Sequence, residues 1–171
     1  MLGADAWKPT RGTSMALDAM RTTSLLFLLF ALAACSVRSN SADFLAKQVA
    51  EQVENLTKAP ASQERALHEL EAMGDAAVPF IVGHLGDTRP LAEPRMSLVN
   101  HASDAFEGLR HYGPDTVHDA LSAVLNQITG QSFEFVYNGA TAEERNLNRT
   151  HWVTWCQARY HESAPSCAKS I

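Results

Sequence analysis

Long hydrophobic runs are missing from this sequence of 171 residues. A helix needs about 20 consecutive apolar residues to cross a bilayer. The apolar run from Leu25 to Ala34 has only ten. The sequence therefore predicts no stable transmembrane helix.

Motifs of known catalytic and metal sites are also missing. The chain has no G-x-S-x-G, H-E-x-x-H, C-x-x-C or P-loop pattern. None of its seven histidines lies four residues from another, so no helix presents two imidazoles on one side. We therefore predict no enzyme, no cofactor and no metal site. The alternative is a metal site assembled in space from separated histidines.

Positive charge is scarce. Residues 35–171 contain 11 basic and 17 acidic side chains, a net charge of −6. An acidic domain does not attract a phosphate backbone, which argues against nucleic acid as a partner. Hydrophobic residues make up 46% of the chain, a composition typical of a folded domain.

The N-terminal region has the pattern of a secretory signal. Arg21 precedes the apolar run, and small residues close it. We predict a signal peptide over residues 1–34. Residues 1–14 fit no part of such a signal, so translation is expected to start at Met15 or Met20.

The residues Leu32-Ala33-Ala34-Cys35 resemble the lipobox of bacterial lipoproteins. The resemblance implies that the Cys35 thiol carries a lipid and that the signal is cut just before it. It places the protein in the cell envelope, held at a membrane by its lipid anchor. Ser36, by the sorting rule of enteric lipoproteins, favours the outer membrane. The alternative is that Cys35 simply ends a buried helix.

Apolar residues recur at helical spacing through the rest of the chain, which predicts an all-α fold. A lipidated Cys and tether over 35–41 precede a helical domain over 42–161 and a C-terminal tail over 162–171. The predicted helices span residues 42–58, 62–73, 75–86, 94–112, 115–129 and 141–160.

An internal repeat appears when the chain is shifted by 39 residues. Leu67 then overlays Phe106, and Gly74 overlays Gly113. The segment from Leu70 to Pro79 resembles a HEAT repeat. The resemblance implies a short HEAT-like helical-repeat stack of about two helix pairs with flanking capping helices. The alternative is an ordinary helical bundle with a chance repeat.

Two cysteines remain after Cys35. An oxidising compartment outside the cytoplasm favours a disulfide between Cys156 and Cys167. The alternative is two reduced thiols, with Cys156 in the core and Cys167 in the tail.

A HEAT-like stack implies a protein-binding surface on the second helix of each pair. We predict that Phe80, His84, His118, Asp119 and Ser122 face outward and contact a protein partner. The alternative for Phe80 is burial under a neighbouring segment. The predicted function is a membrane-anchored, non-enzymatic protein-interaction module. The alternative is a pilotin-like assembly or secretion factor.

Overall fold

The computed structural model describes residues 41–100 and 106–169. The predicted signal peptide and Cys35 lie outside these ranges, as does most of the predicted tether. The chain divides into two units, Met1–Ala42 and Asp43–Ile171. Within the described residues, no helix combines the length and the apolar character that a bilayer span requires.

The described domain is mostly helical, as the apolar spacing predicted. Helix α1 covers residues 41–55, and its buried face carries Val49 and Val53, four residues apart. Helix α2 spans Pro60–Ala72 and begins on a proline, which has no N–H to leave unpaired in the first turn. Gly74, with a φ of 63°, ends it.

A short 3₁₀ turn, Gly74–Ala77, leads from α2 into α3, Val78–Gly83. Pro79 lies in the first turn of α3. This arrangement of helix, glycine and helix agrees with the sequence prediction for this segment.

The predicted fourth helix over 94–112 is wrong. Strand β1, Met96–Val99, pairs antiparallel with strand β2, Leu109–Tyr112. The true pattern has period two, because Met96 and Leu98 are buried while Val99 is exposed. The second predicted helix pair is therefore not formed, and the repeat is not confirmed.

Helix α4, Val117–Thr129, is the central element of the domain. Every residue from Val117 to Leu125 is buried, because α2, α3 and β1 all pack against this helix. Gly130 ends α4 in the left-handed conformation, with a φ of 70°.

Helix α5 spans Ala142–Arg159 and starts on a capping box formed by Thr141 and Glu144. The Thr141 hydroxyl accepts a bond from the Glu144 N–H, and the Glu144 carboxylate accepts one from the Thr141 N–H at 2.8 Å. Trp152 is fully buried on α5, where it belongs to the hydrophobic core and packs edge-on against Phe133 and Trp155.

The chain then folds back on itself. A 3₁₀ turn, His161–Ser163, leads into the short helix α6, Ala164–Cys167. The Sγ atoms of Cys156 and Cys167 lie 2.09 Å apart, so the two cysteines are at disulfide distance, as predicted. Helix α6 packs closely on α3 beside Gly83.

Candidate partner-binding surface

Two of the predicted contact residues lie on or just after α3. Phe80 is half-buried and packs against the hydrophobic core. His84 caps the end of α3 and is also half-buried, and this burial lowers its pKa. Neither side chain is fully exposed, and the packing of Phe80 against the core agrees with the alternative that the sequence left open for it.

The predicted outward placement of His118, Asp119 and Ser122 is wrong. All three side chains are fully buried. The prediction assumed that α4 has one solvent-facing side. Instead α4 is enclosed on all sides from Val117 to Leu125, and its polar residues there are paired with neighbours rather than exposed to water.

The buried polar side chains form a hydrogen-bond network, and Asn148 of α5 makes most of its bonds. Its Oδ1 lies 3.1 Å from His118 Nε2 and 3.0 Å from Ser122 Oγ, which donates to it. Its Nδ2 donates to the carbonyl of Phe133. The network therefore ties α4, α5 and the loop before α5 together.

The neighbours of His118 fix its tautomer. The Gly86 N–H donates to Nδ1 at 3.0 Å, so Nδ1 carries no proton. The proton of the neutral ring must then lie on Nε2, which donates to Asn148. Burial lowers the pKa of His118 to about 4, which keeps the ring neutral near pH 7.

Asp119 forms a buried ion pair with Arg145. The guanidinium donates from Nε to Oδ1 at 2.7 Å and from a terminal nitrogen to Oδ2 at 2.8 Å. Oδ2 also accepts bonds from the N–H groups of Asp115 and Thr116 at the start of α4. The carboxylate thus joins the first turn of α4 to α5.

Ser122, His118 and Asp119 have the residue types of an acyl-transfer triad but not its geometry. None of the three is bonded to another, because Ser122 and His118 both bond to Asn148 and Asp119 pairs with Arg145, and none is open to a substrate. Nor do the described residues contain a group of three His, Cys, Asp or Glu side chains placed to hold a metal ion. The network joins α4, α5 and the loop before α5.

A cluster of accessible apolar side chains lies elsewhere, beside β2. Phe106 is fully exposed, Phe135 is 72% exposed and Leu109 is 44% exposed. Together with Tyr112 and Tyr137 they line a groove of about 620 Å³, here named the aromatic groove. The rings of Phe135, Tyr137 and Tyr112 follow one another at centroid distances of 5.4 and 5.8 Å.

A second groove, also of about 620 Å³, lies between α2 and the hairpin. We name it the polar groove, and its walls carry Glu64 and His68 of α2 with Ser97 and His111 of the hairpin. Ser97 and His111 are cross-strand neighbours whose Oγ and Nδ1 atoms lie 2.8 Å apart. Both grooves use residues of β2.

The sequence analysis missed this surface because it assigned Phe106 and Leu109 to the core of a helix. Phe135 lies in the loop between α4 and α5, where it is exposed while Phe133 is half-buried and Tyr137 is buried. What the sequence did not supply was the hairpin that places Leu109 next to these rings.

Comparison of the chain with protein-family models, curated proteins and solved structures gives no match.

Proposed function

We propose that this protein is a non-enzymatic interaction module of the bacterial cell envelope, tethered to a membrane through a lipid on Cys35. The aromatic groove is its contact surface. Monomeric proteins seldom expose clustered large apolar side chains without a binding role. Aromatic residues are also enriched among those that carry most of the binding energy at interfaces.

The observation that carries the proposal is the exposure of Phe106, Phe135 and Leu109 around one groove. Cys156 and Cys167 are fully buried and lie at disulfide distance. This supports a location outside the cytoplasm, because disulfides form in oxidising compartments.

The proposal keeps one HEAT-like helix pair instead of the two that the sequence predicted. In this proposal, α2 and α3, which are separated by Gly74, are taken as one HEAT-like helix pair. The interaction surface is then built on the hairpin that follows the pair, not on a stack of pairs.

The anchor and the surface are tested separately. Cys35→Ala should move the protein from the membrane fraction to the soluble fraction, or stall its processing. Retention at the membrane with an unchanged mature mass would contradict the lipid anchor.

The surface is tested by incorporating the photo-crosslinker benzoylphenylalanine in living cells. Position 135 should give a crosslinked partner protein, whereas the exposed position 157 on α5, which lines neither groove, should not. Equal crosslinking at both positions, or none at 135, would contradict the proposed surface. A channel subunit of the outer membrane as the main product would identify the pilotin-like variant of the function.

A further inference from the structure

Strand β2 forms an open edge of the two-stranded sheet. Within the described residues it pairs with β1 alone, and Leu109, Arg110 and His111 are all exposed. Prolines and bulges block many such edges, and the segment Leu109–Tyr112 contains neither. Its outer main-chain groups can therefore pair with a further strand.

The hydrogen bonds of the hairpin show which main-chain groups point outward. The Asn100 N–H donates to the Gly108 carbonyl at 3.0 Å, so these residues continue the register as a hydrogen-bonded pair. In an antiparallel ladder, such pairs alternate with pairs whose N–H and C=O groups point away from the neighbouring strand. Leu109 and His111 are therefore the residues of β2 that present their main-chain groups at the open edge.

A second copy of the chain can pair with this edge around a two-fold axis. Two identical strands related in this way are antiparallel, and outward residues must face outward residues. The registers that meet this condition over β2 place the axis at Leu109, at Arg110 or at His111.

Two of these axes are unfavourable. An axis at Arg110 sets two guanidinium groups directly opposite one another, and like charges in that position are destabilising. An axis at His111 brings Gly113 opposite Leu109 of the second copy. The Gly113 N–H is not available to this neighbour, because it already donates to Asn138 Oδ1 at 2.7 Å.

An axis at Leu109 gives complementary side-chain pairs. Leu109 faces Leu109, His111 faces Glu107, and Tyr112 faces Phe106 of the second copy. The two-fold axis makes the last two contacts occur twice. Cross-strand pairs of these types stabilise a sheet. They also cover Phe106, which is fully exposed in the single chain, and Leu109, which is 44% exposed.

We infer that two copies of the chain associate by antiparallel pairing of their β2 strands around a two-fold axis at Leu109. The product is one continuous sheet formed by both hairpins. The inference rests on the proposed function, because Phe106 and Leu109 belong to the aromatic groove and the second copy is its occupant.

Cysteine crosslinking of the full chain tests the pairing. Leu109→Cys places two thiols in a hydrogen-bonded pair with Cα atoms about 5.5 Å apart, a distance that a disulfide spans. Mild oxidation with copper phenanthroline should give a dimer that a reductant separates. Leu147→Cys is the matched control and should stay monomeric, since Leu147 is 47% exposed and lines neither groove.

Two further cysteines test the register. Arg110 faces Gly108 of the second copy, so Arg110→Cys alone should give little dimer. A mixture of Arg110→Cys and Gly108→Cys chains should give much more, and no atom lies within 4 Å of a Cβ added at Gly108. Efficient dimer formation by Arg110→Cys alone would place the axis at Arg110 and overturn the register.

A charge exchange tests the contact of His111 with Glu107 by analytical ultracentrifugation. His111→Glu sets two carboxylates opposite one another on both sides of the axis and should weaken dimerisation roughly tenfold. Adding Glu107→Lys should restore the affinity to within about threefold of the parent. His161→Glu, at an exposed position outside both grooves, should leave dimerisation unchanged.

A parent chain that stays monomeric in the ultracentrifuge would overturn the inference, as would equal crosslinking from Leu109→Cys and Leu147→Cys. A double variant as weak as His111→Glu would overturn the proposed contact. If the photo-crosslinker at position 135 captures a different protein while the chain stays monomeric, the proposed function stands and only self-association fails. If position 135 captures nothing as well, both fail.

Discussion

Asn148 Oδ1 accepts a hydrogen bond from His118 Nε2 across the interface of α4 and α5, at 3.1 Å. The same oxygen accepts from Ser122, and the amide nitrogen reaches the Phe133 carbonyl. One side chain therefore satisfies three buried polar groups on two neighbouring segments.

Asn148→Ala should lower the free energy of unfolding by about 3 kcal/mol, because it leaves those three groups buried without partners. Asn146→Ala, an exposed position on the same helix, is the control and should stay within about 0.5 kcal/mol of the parent. Urea denaturation measures both. A cost below about 1 kcal/mol for Asn148→Ala would show that water or rearrangement replaces its bonds.

The stability of the domain should fall as the pH is lowered from about 6.5 to 4. Burial lowers the pKa of His118 to about 4 in the folded state, while an unfolded histidine titrates near 6.5. The unfolded state therefore binds the proton first, and the stabilisation present above pH 6.5 is lost across this window.

The difference between the unfolded and folded pKa values of His118 corresponds to about 3 kcal/mol of the free energy of unfolding. His118→Gln should be less stable at pH 7 but should flatten this part of the pH profile. His68→Gln, at an exposed position, is the control variant. If both variants keep the pH dependence of the parent's free energy of unfolding, His118 is not the source of that dependence.

Removing the Cys156–Cys167 link should destabilise the domain by about 3 kcal/mol, since the bond closes a loop of about a dozen residues. The double variant Cys156→Ala and Cys167→Ala should also expose the amides of α6 to hydrogen exchange. Intact mass after alkylation without reductant checks the link directly. Two alkylated thiols in the native protein would contradict it.

Gly83 permits the close approach of α6 to α3. A Cβ atom at this position would lie 2.5 Å from the Ser166 carbonyl oxygen, which belongs to the backbone and cannot rotate away. Gly83→Ala should therefore lower the melting temperature, with a cost of about 1–2 kcal/mol, although alanine is the better helix former.

Gly108→Ala is the matched control, because no atom lies within 4 Å of its added Cβ. The Gly83→Ala penalty should shrink in the background that lacks both cysteines, where α6 is free to move away. An equal penalty in both backgrounds would show that the strain is not relieved through α6.

Local signals in the sequence were sufficient for much of the fold. The Thr141–Glu144 capping box, the stop at Gly74 and the two remaining cysteines each depend on a few neighbouring residues, and the structure has all of them. The hairpin was missed because Val99, Phe106 and Leu109 also fit a helical spacing. The packing of β1 against α2 and α4 is what favours a strand over a helix in this segment.

The prediction of the contact surface was wrong for a related reason. The sequence shows that His118, Asp119 and Ser122 share the polar side of α4, and polar sides of helices usually face water. Whether a second layer covers that side depends on where α5 lies. Asn148 and Arg145 come from that helix, 26 or more residues later, and no local pattern connects them to α4.

The link between Cys156 and Cys167 also changes what proteolysis can do to the end of this chain. Arg159 is exposed and lies between the two cysteines. If the peptide bond after Arg159 is cut, the C-terminal fragment stays covalently attached and α6 keeps its position on α3. The nicked domain would then keep its mass, apart from one added water, until a reductant releases the fragment.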